Sequence, residues 1–232
     1  SFSTGGYSAE YGEALSSVLL LNTTDMATEN KTDISFMTVG LGVANTQKWK
    51  KSSLTFNTAY IDLAPYQVAI PQNVDWNKAF QSLSGEVVYR YELKRGLFKL
   101  YAAFDASRFD LNQESINSVA KTRVDLKNNN LYVNASYKGN FGSNWQLTTG
   151  LSYGLGNNKI GLDNQLINNT EHASHLKFKL RKSISDRVKL SFGADYFITQ
   201  FDEKYSFITN KTGYDSNIFA GFTEADIFFS KK

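Results

Sequence analysis

The sequence predicts an all-β chain, an antiparallel up-and-down meander forming part of a transmembrane β-barrel, and three observations carry that reading. Apolar and polar residues alternate with a period of two through most of the chain, the spacing of a strand with two unlike faces. Proline, which cannot donate to a β-ladder, occurs only at Pro65 and Pro71. Aromatic residues make up 14% of the chain, yet no long apolar segment occurs, so hydrophobic side chains are distributed singly along the strands.

The individual elements show the alternation directly. In KSSLTFNTAYID, Leu54, Phe56, Thr58 and Tyr60 oppose Ser53, Thr55, Asn57 and Ala59. EVVYRYEL places Val87, Tyr89, Tyr91 and Leu93 against Glu86, Val88, Arg90 and Glu92, and LYVNASYK repeats the pattern from Leu131 to Lys138. WQLTTGLSYGL, HLKFKLRK and VKLSFGADYF are as regular, with Leu176, Phe178 and Leu180 alternating with Lys177, Lys179 and Arg181. About nine strands are expected, at roughly 32–44, 51–62, 83–93, 97–108, 126–138, 145–155, 172–182, 187–199 and 214–230. Short turns (NTQKWK, KRG, GNFGSN, SISDR) alternate with long polar connections expected at 64–82, 110–125, 156–171 and 200–213.

Strands of about 10 to 13 residues exceed the five or six usual in soluble sheets and match what a tilted strand needs to cross a bilayer. An apolar face toward lipid, a polar face toward a wet or plugged lumen, and unlike connections at the two ends make a transmembrane barrel. Trp145, Tyr153, Tyr60 and Tyr137 would then sit in interfacial belts. A soluble sandwich or meander with cross-strand aromatic pairs is the competing architecture.

The opening stretch GGYSAEYGEALSSVLLLNT is too short for a spanning helix and lacks the basic flank of a secretory signal. Gly5, Gly6, Tyr7, Ser8, Ala9, Glu10, Tyr11 and Gly12, followed by Ala14 to Ser17 and Val18 to Leu21, resemble the segment that closes the plug domain of TonB-dependent outer-membrane receptors, particularly those of Bacteroidetes-like bacteria. An amphipathic helix over AEYGEALSSVLLL is the alternative local reading. The resemblance implies that residues 1–25 are the C-terminal end of a plug domain and residues 26–232 the N-terminal portion of the barrel. It implies a fragment, because such receptors have about 22 strands and a full plug. It also implies a bacterial outer-membrane location, a lipid bilayer around the barrel, a periplasmic energy-coupling TonB protein acting through parts of the chain not present, and a small-molecule or oligosaccharide substrate. Siderophores, cobalamin and oligosaccharides are the cargo classes implied, without a choice among them. With short turns in the periplasm, a single strand over 32–44 would run downward, opposite to the first barrel strand of that family.

Candidate functional residues are few. Tyr66 and Trp76, in the long connection APYQVAIPQNVDWNKAFQS, are the expected substrate-binding residues, since exposed aromatic faces on an external loop are suited to stacking. His172 and His175 stand three apart, so on a strand they point to opposite faces and cannot share a metal. Glu86, Asp105, Asp195, Glu224 and Asp226 are expected to face the lumen, where Arg90, Lys177, Lys179 and Arg181 would pair with them or with the plug. No catalytic residue, metal site or cofactor is expected. With 25 basic and 22 acidic residues dispersed along 232, nucleic acid is not an expected partner, and the absence of cysteine excludes disulfides and thiol chemistry. The reading is therefore a transporter and not an enzyme. An outer-membrane β-barrel hydrolase using the His172 to His175 region, and a soluble binding or adhesion module, are the alternatives.

Overall fold

The computed structural model describes residues 2–3, 8–11, 18–19, 26–70, 74–115, 118–206 and 211–229. One ten-stranded antiparallel sheet carries nearly all of them: β3 (Lys31–Met37), β4 (Gly40–Lys48), β5 (Ser52–Asp62), β6 (Asp75–Leu93), β7 (Gly96–Ser115), β8 (Ser118–Phe141), β9 (Trp145–Leu162), β10 (Gln165–Ser183), β11 (Val188–Tyr205) and β12 (Lys211–Ile227). Each strand pairs with its sequence neighbours, in the order β3 through β12, so the sheet is an uninterrupted meander. Ahead of it, β1 (Phe2–Ser3) pairs antiparallel with β2 (Val18–Leu19), which makes the middle of the opening apolar stretch a strand. Among the described residues a single helix, α1 (Ala64–Ala69), carries Pro65 in its first turn and lies in the β5–β6 connection.

Three sequence-based expectations need correction. The sheet has ten strands, because the strand expected over 32–44 is a hairpin that turns at 38–39. The turn is tight at Gly40, where an added Cβ would lie 2.4 Å from the Tyr60 carbonyl oxygen; Thr38 and Val39 carry no turn signal of their own. The split also removes the orientation conflict: β3 now begins at the end that holds the connections 49–51, 94–95, 142–144 and 184–187, the end expected in the periplasm.

The second correction concerns the long connections. Most of the described residues expected in loops at 110–125, 156–171 and 200–213 are continuations of the strands, so β8 reaches 24 residues, more than twice the roughly 9–11 needed to cross a bilayer at a tilt. The third is Trp76, which stands on β6 rather than in a loop.

Burial is inside out relative to a water-soluble protein. Among the described residues Val88 is the one buried hydrophobic side chain, whereas Arg90, Asp110, Asp195, Ser53, Ser152 and Ser191 are buried. The rows Leu100, Leu151, Leu176 and Tyr196, and Phe98, Tyr91 and Phe178, lie on the outer face, with Leu151 56% exposed. In hydrocarbon that distribution is favourable, since neighbouring strands pair their backbones along the sheet and the apolar face meets lipid.

Toward the far end of the strands the alternation reverses. Phe109, Leu126, Ile160 and Ile167 form one cross-strand row on the inner face, and Arg108, Lys127, Lys159 and Asn168 form the adjacent row on the outer face. Once a strand leaves the hydrocarbon its outer face meets water, and charged side chains take the place of Leu and Phe.

A candidate junction between the opening segment and the barrel wall

The strand β10 sequence HLKFKLRK puts His175, Lys177, Lys179 and Arg181 on one face because side chains alternate. The register with β11 and β12 sets carboxylates beside them: Lys177 is directly opposite Asp195, and Asp226 lies opposite Lys189, within reach of Arg181. Arg181 donates to Asp226 at 2.5 Å, His175 Nε2 lies 2.7 Å from Asp195 Oδ1, and Lys177 Nζ is 3.4 Å from the same oxygen. Asp195 is 6% exposed, so two basic partners compensate a buried carboxylate.

The opening segment closes over this row. Ser8 to Tyr11 form a turn in which the Tyr11 N–H donates to the Ser8 carbonyl oxygen at 3.0 Å. Glu10 descends from it between the two lysines, 3.0 Å from Lys177 Nζ and hydrogen-bonded to Lys179. Ser8 Oγ donates to Glu224, and Lys177 Nζ lies 5.9 Å from the centre of the Tyr11 ring. A carboxylate with an 11% exposed side chain is thus held by two ammonium groups on the wall through charge-assisted hydrogen bonds. Nothing in the spacing of GGYSAEYG singles out Glu10; only the register of β10 with its neighbours does so.

Of the carboxylates expected inside, Asp195, Glu224 and Asp226 join this network, whereas Glu86 accepts from Tyr101 Oη at 3.0 Å and Asp105 from Ser82 Oγ at 3.4 Å. Arg90 is buried and donates to Thr55 Oγ1 at 3.3 Å. His172 and His175 lie on opposite faces, as their spacing requires: His172 Nδ1 is 2.8 Å from Tyr153 Oη on the outer face, and His175 stacks on Phe197 with 4.1 Å between ring centres. Tyr66 sits on α1 and Trp76 on β6. The Trp76 ring meets Phe109 edge-on at 6.3 Å and borders the inner apolar row at the far end. That apolar rim was missed from sequence because Ile160 and Ile167 fall in a stretch that reads as a polar loop, and Phe109 and Leu126 stand at the margins of the expected strands.

Beyond the apolar band, Arg123 grips Asp110 with two hydrogen bonds, Nε to Oδ1 at 3.0 Å and Nη2 to Oδ2 at 2.6 Å. These bonds, with a third from Asn77, hold the Asp110 carboxyl well below its ordinary range, at about 2.

Comparison with known proteins bears on the architecture. No protein-family description and no curated protein sequence matches the chain. Among solved structures it is similar to the ferric citrate transporter FecA in its unliganded form (TM-score 0.65, 8% identity, 82% of this chain and 33% of that one). It is also similar to the alcaligin outer-membrane receptor FauA from Bordetella pertussis (0.61, 9%, 82% and 33%) and to BauA, the ferric preacinetobactin receptor from Acinetobacter baumannii (0.55, 10%, 83% and 39%). At these identities the likeness shows the fold, the β-barrel wall of outer-membrane receptors, and the chain spans about a third of the length of the structures it matches.

Proposed function

We propose that this chain is part of a TonB-dependent outer-membrane receptor: the end of its plug domain, residues 1–25, and the first ten strands of its barrel, within residues 26–232. In this reading the receptor takes up a scarce or bulky ligand from the medium, and the energy-coupling protein in the periplasm remodels the plug to release it through the lumen. The observation that carries the reading is the seating of Glu10 between Lys177 and Lys179 on the charged face, while the opposite face presents Leu176 and Phe178 outward. A plug tail held to an inner wall needs that arrangement, and a water-soluble sandwich would invert it. The barrel fold shared with transporters and receptors supports an importer over a hydrolase.

The ligand would enter past Trp76 and the apolar rim of Phe109, Leu126 and Ile160, with Tyr66 on α1 at the mouth. Similar structures are named for ferric citrate, alcaligin and ferric preacinetobactin, which makes an iron chelate the first cargo to test. The test is uptake of radiolabelled ferric chelates by cells carrying the full receptor, with and without a functional TonB. Uptake that needs both proteins supports the reading, and accumulation indifferent to TonB contradicts it.

A further inference from the structure

The reversal of alternation leaves three cations side by side on the outer face. Arg108 is paired with Lys127, and Lys127 with Lys159, so the three occupy one row on adjacent strands. Like charges directly opposite on a sheet face are unfavourable. Among the described residues none of the three forms an ion pair, although the charge of Asp62 is felt at Arg108. Arg108 donates to the neutral Gln81 Oε1 at 2.8 and 2.7 Å, Asp62 accepts from the Ala64 N–H and from Gln81, and Asp110 is occupied by Arg123. All three cations are exposed.

Their position relative to the apolar band supplies the second observation. On β8 and β9 the outer face reads Leu131, Asn129, Lys127 and Leu155, Asn157, Lys159, with equivalent residues paired across the strands. Apolar side chain, amide and ammonium therefore follow one another in the order of acyl chain, linkage and headgroup. Beside them a groove of about 480 Å3 is bordered by Tyr60, Gln81, Leu83, Arg108, Lys127 and Asn129.

We propose that this row is a docking surface for a phosphorylated lipid of the surrounding leaflet, with its phosphate on Arg108, Lys127 and Lys159 and its acyl chains along Leu83, Leu131 and Leu155. Lipid-borne phosphate is the occupant to which the geometry points, because the cations border the apolar band instead of the inner rim where a soluble ligand would enter. The proposal rests on the membrane reading above.

The experiment uses the full chain folded in detergent micelles, titrated with diphosphoryl lipid A and with its dephosphorylated form, and read by native mass spectrometry. Retention of the diphosphoryl lipid is expected, with affinity reduced at least about tenfold in R108Q/K127Q/K159Q. The control K50Q/K51Q/K94Q, which removes three charges from turns at the opposite end, is expected to bind as the parent. Inorganic phosphate at millimolar concentration is not expected to compete. Equal binding of the triple variant and the parent, equal loss in both variants, or equal retention of the dephosphorylated lipid would overturn the docking surface alone. Absence of a heat-modifiable band for every variant would instead remove the membrane reading, and this proposal with it.

Discussion

Glu10 and Lys177 meet at 3.0 Å, and Lys179 holds the other oxygen of the same carboxylate, so a residue near the start of the chain is fixed to the eighth strand of the sheet. Charge-assisted hydrogen bonds of this kind are worth about 1.5–3 kcal/mol each. Glu10→Gln is expected to weaken the attachment by about 2 kcal/mol, and Glu10→Lys by more, since it faces two cations. In a double-mutant cycle with Lys177→Glu, the charge-swapped pair should recover part of the loss. Amide exchange of Ser8 to Tyr11 reads the result; unchanged protection in Glu10→Lys would show that the contact does not hold the segment.

The sheet's outer face sets the second expectation. Leu176→Arg puts a cation where lipid is the neighbour, at a cost of about 2–4 kcal/mol near the bilayer midplane. Arg at position 177 keeps the charge on the inner face and should cost little. Equilibrium folding into phospholipid vesicles measures both, and equal effects would mean that the two faces share one environment.

Much of this was legible in the sequence, and each failure has a physical origin. Within the hydrocarbon each strand must keep an apolar outer face, so HLKFKLRK and WQLTTGLSYGL could be read residue by residue. Outside it that requirement lapses, and runs such as Asn157–Asn158 and Asn168–Asn169 resemble loops although they belong to β9 and β10. The turn at 38–39 was hidden for the opposite reason: Thr38 and Val39 are strand formers, and the chain reverses because Gly40 admits the close approach of the Tyr60 carbonyl. The contact of Glu10 with β10 depends on which strands become neighbours, which no local pattern encodes.

That close approach gives the third expectation. Gly40→Val places a side chain against backbone and not against a movable ring, so it should cost about 1–3 kcal/mol. The damage should be local, appearing as faster amide exchange in β3 and β4 with β8 to β10 unaffected. Uniform protection across the sheet would show that the turn accommodates the added atoms.

The Asp110–Arg123 pair gives a pH dependence in the part of the strands beyond the membrane. Its carboxyl is held down to about 2, so the stability it contributes is fully present above the ordinary carboxylate range and is lost as pH falls from about 4 through about 2. Exchange protection of the β7–β8 hairpin, followed between pH 5 and pH 2, should fall in that window. Asp110→Asn should flatten the response and lower protection at neutral pH; an unchanged acid limb would assign the titration to another group.

Tyr66 and Trp76 should separate in their behaviour. Tyr66 is exposed on α1, so Tyr66→Ala is expected to lower ligand affinity without changing stability. Trp76 packs edge-on against Phe109, so Trp76→Ala should reduce both. Binding and thermal unfolding measured on the same preparations distinguish the two, and unchanged binding in both variants would exclude them from the ligand path.

The orientation of the two faces is tested most directly by single nitroxide labels at Leu176→Cys and Lys177→Cys in lipid vesicles, on a chain that contains no cysteine of its own. Collision with dissolved oxygen and with a water-soluble nickel chelate distinguishes a lipid-facing label from an enclosed one. High oxygen and low chelate accessibility at 176, with little oxygen accessibility at 177, is the expected outcome. Oxygen-rich collisions at 177 and free access of the chelate at 176 would contradict it.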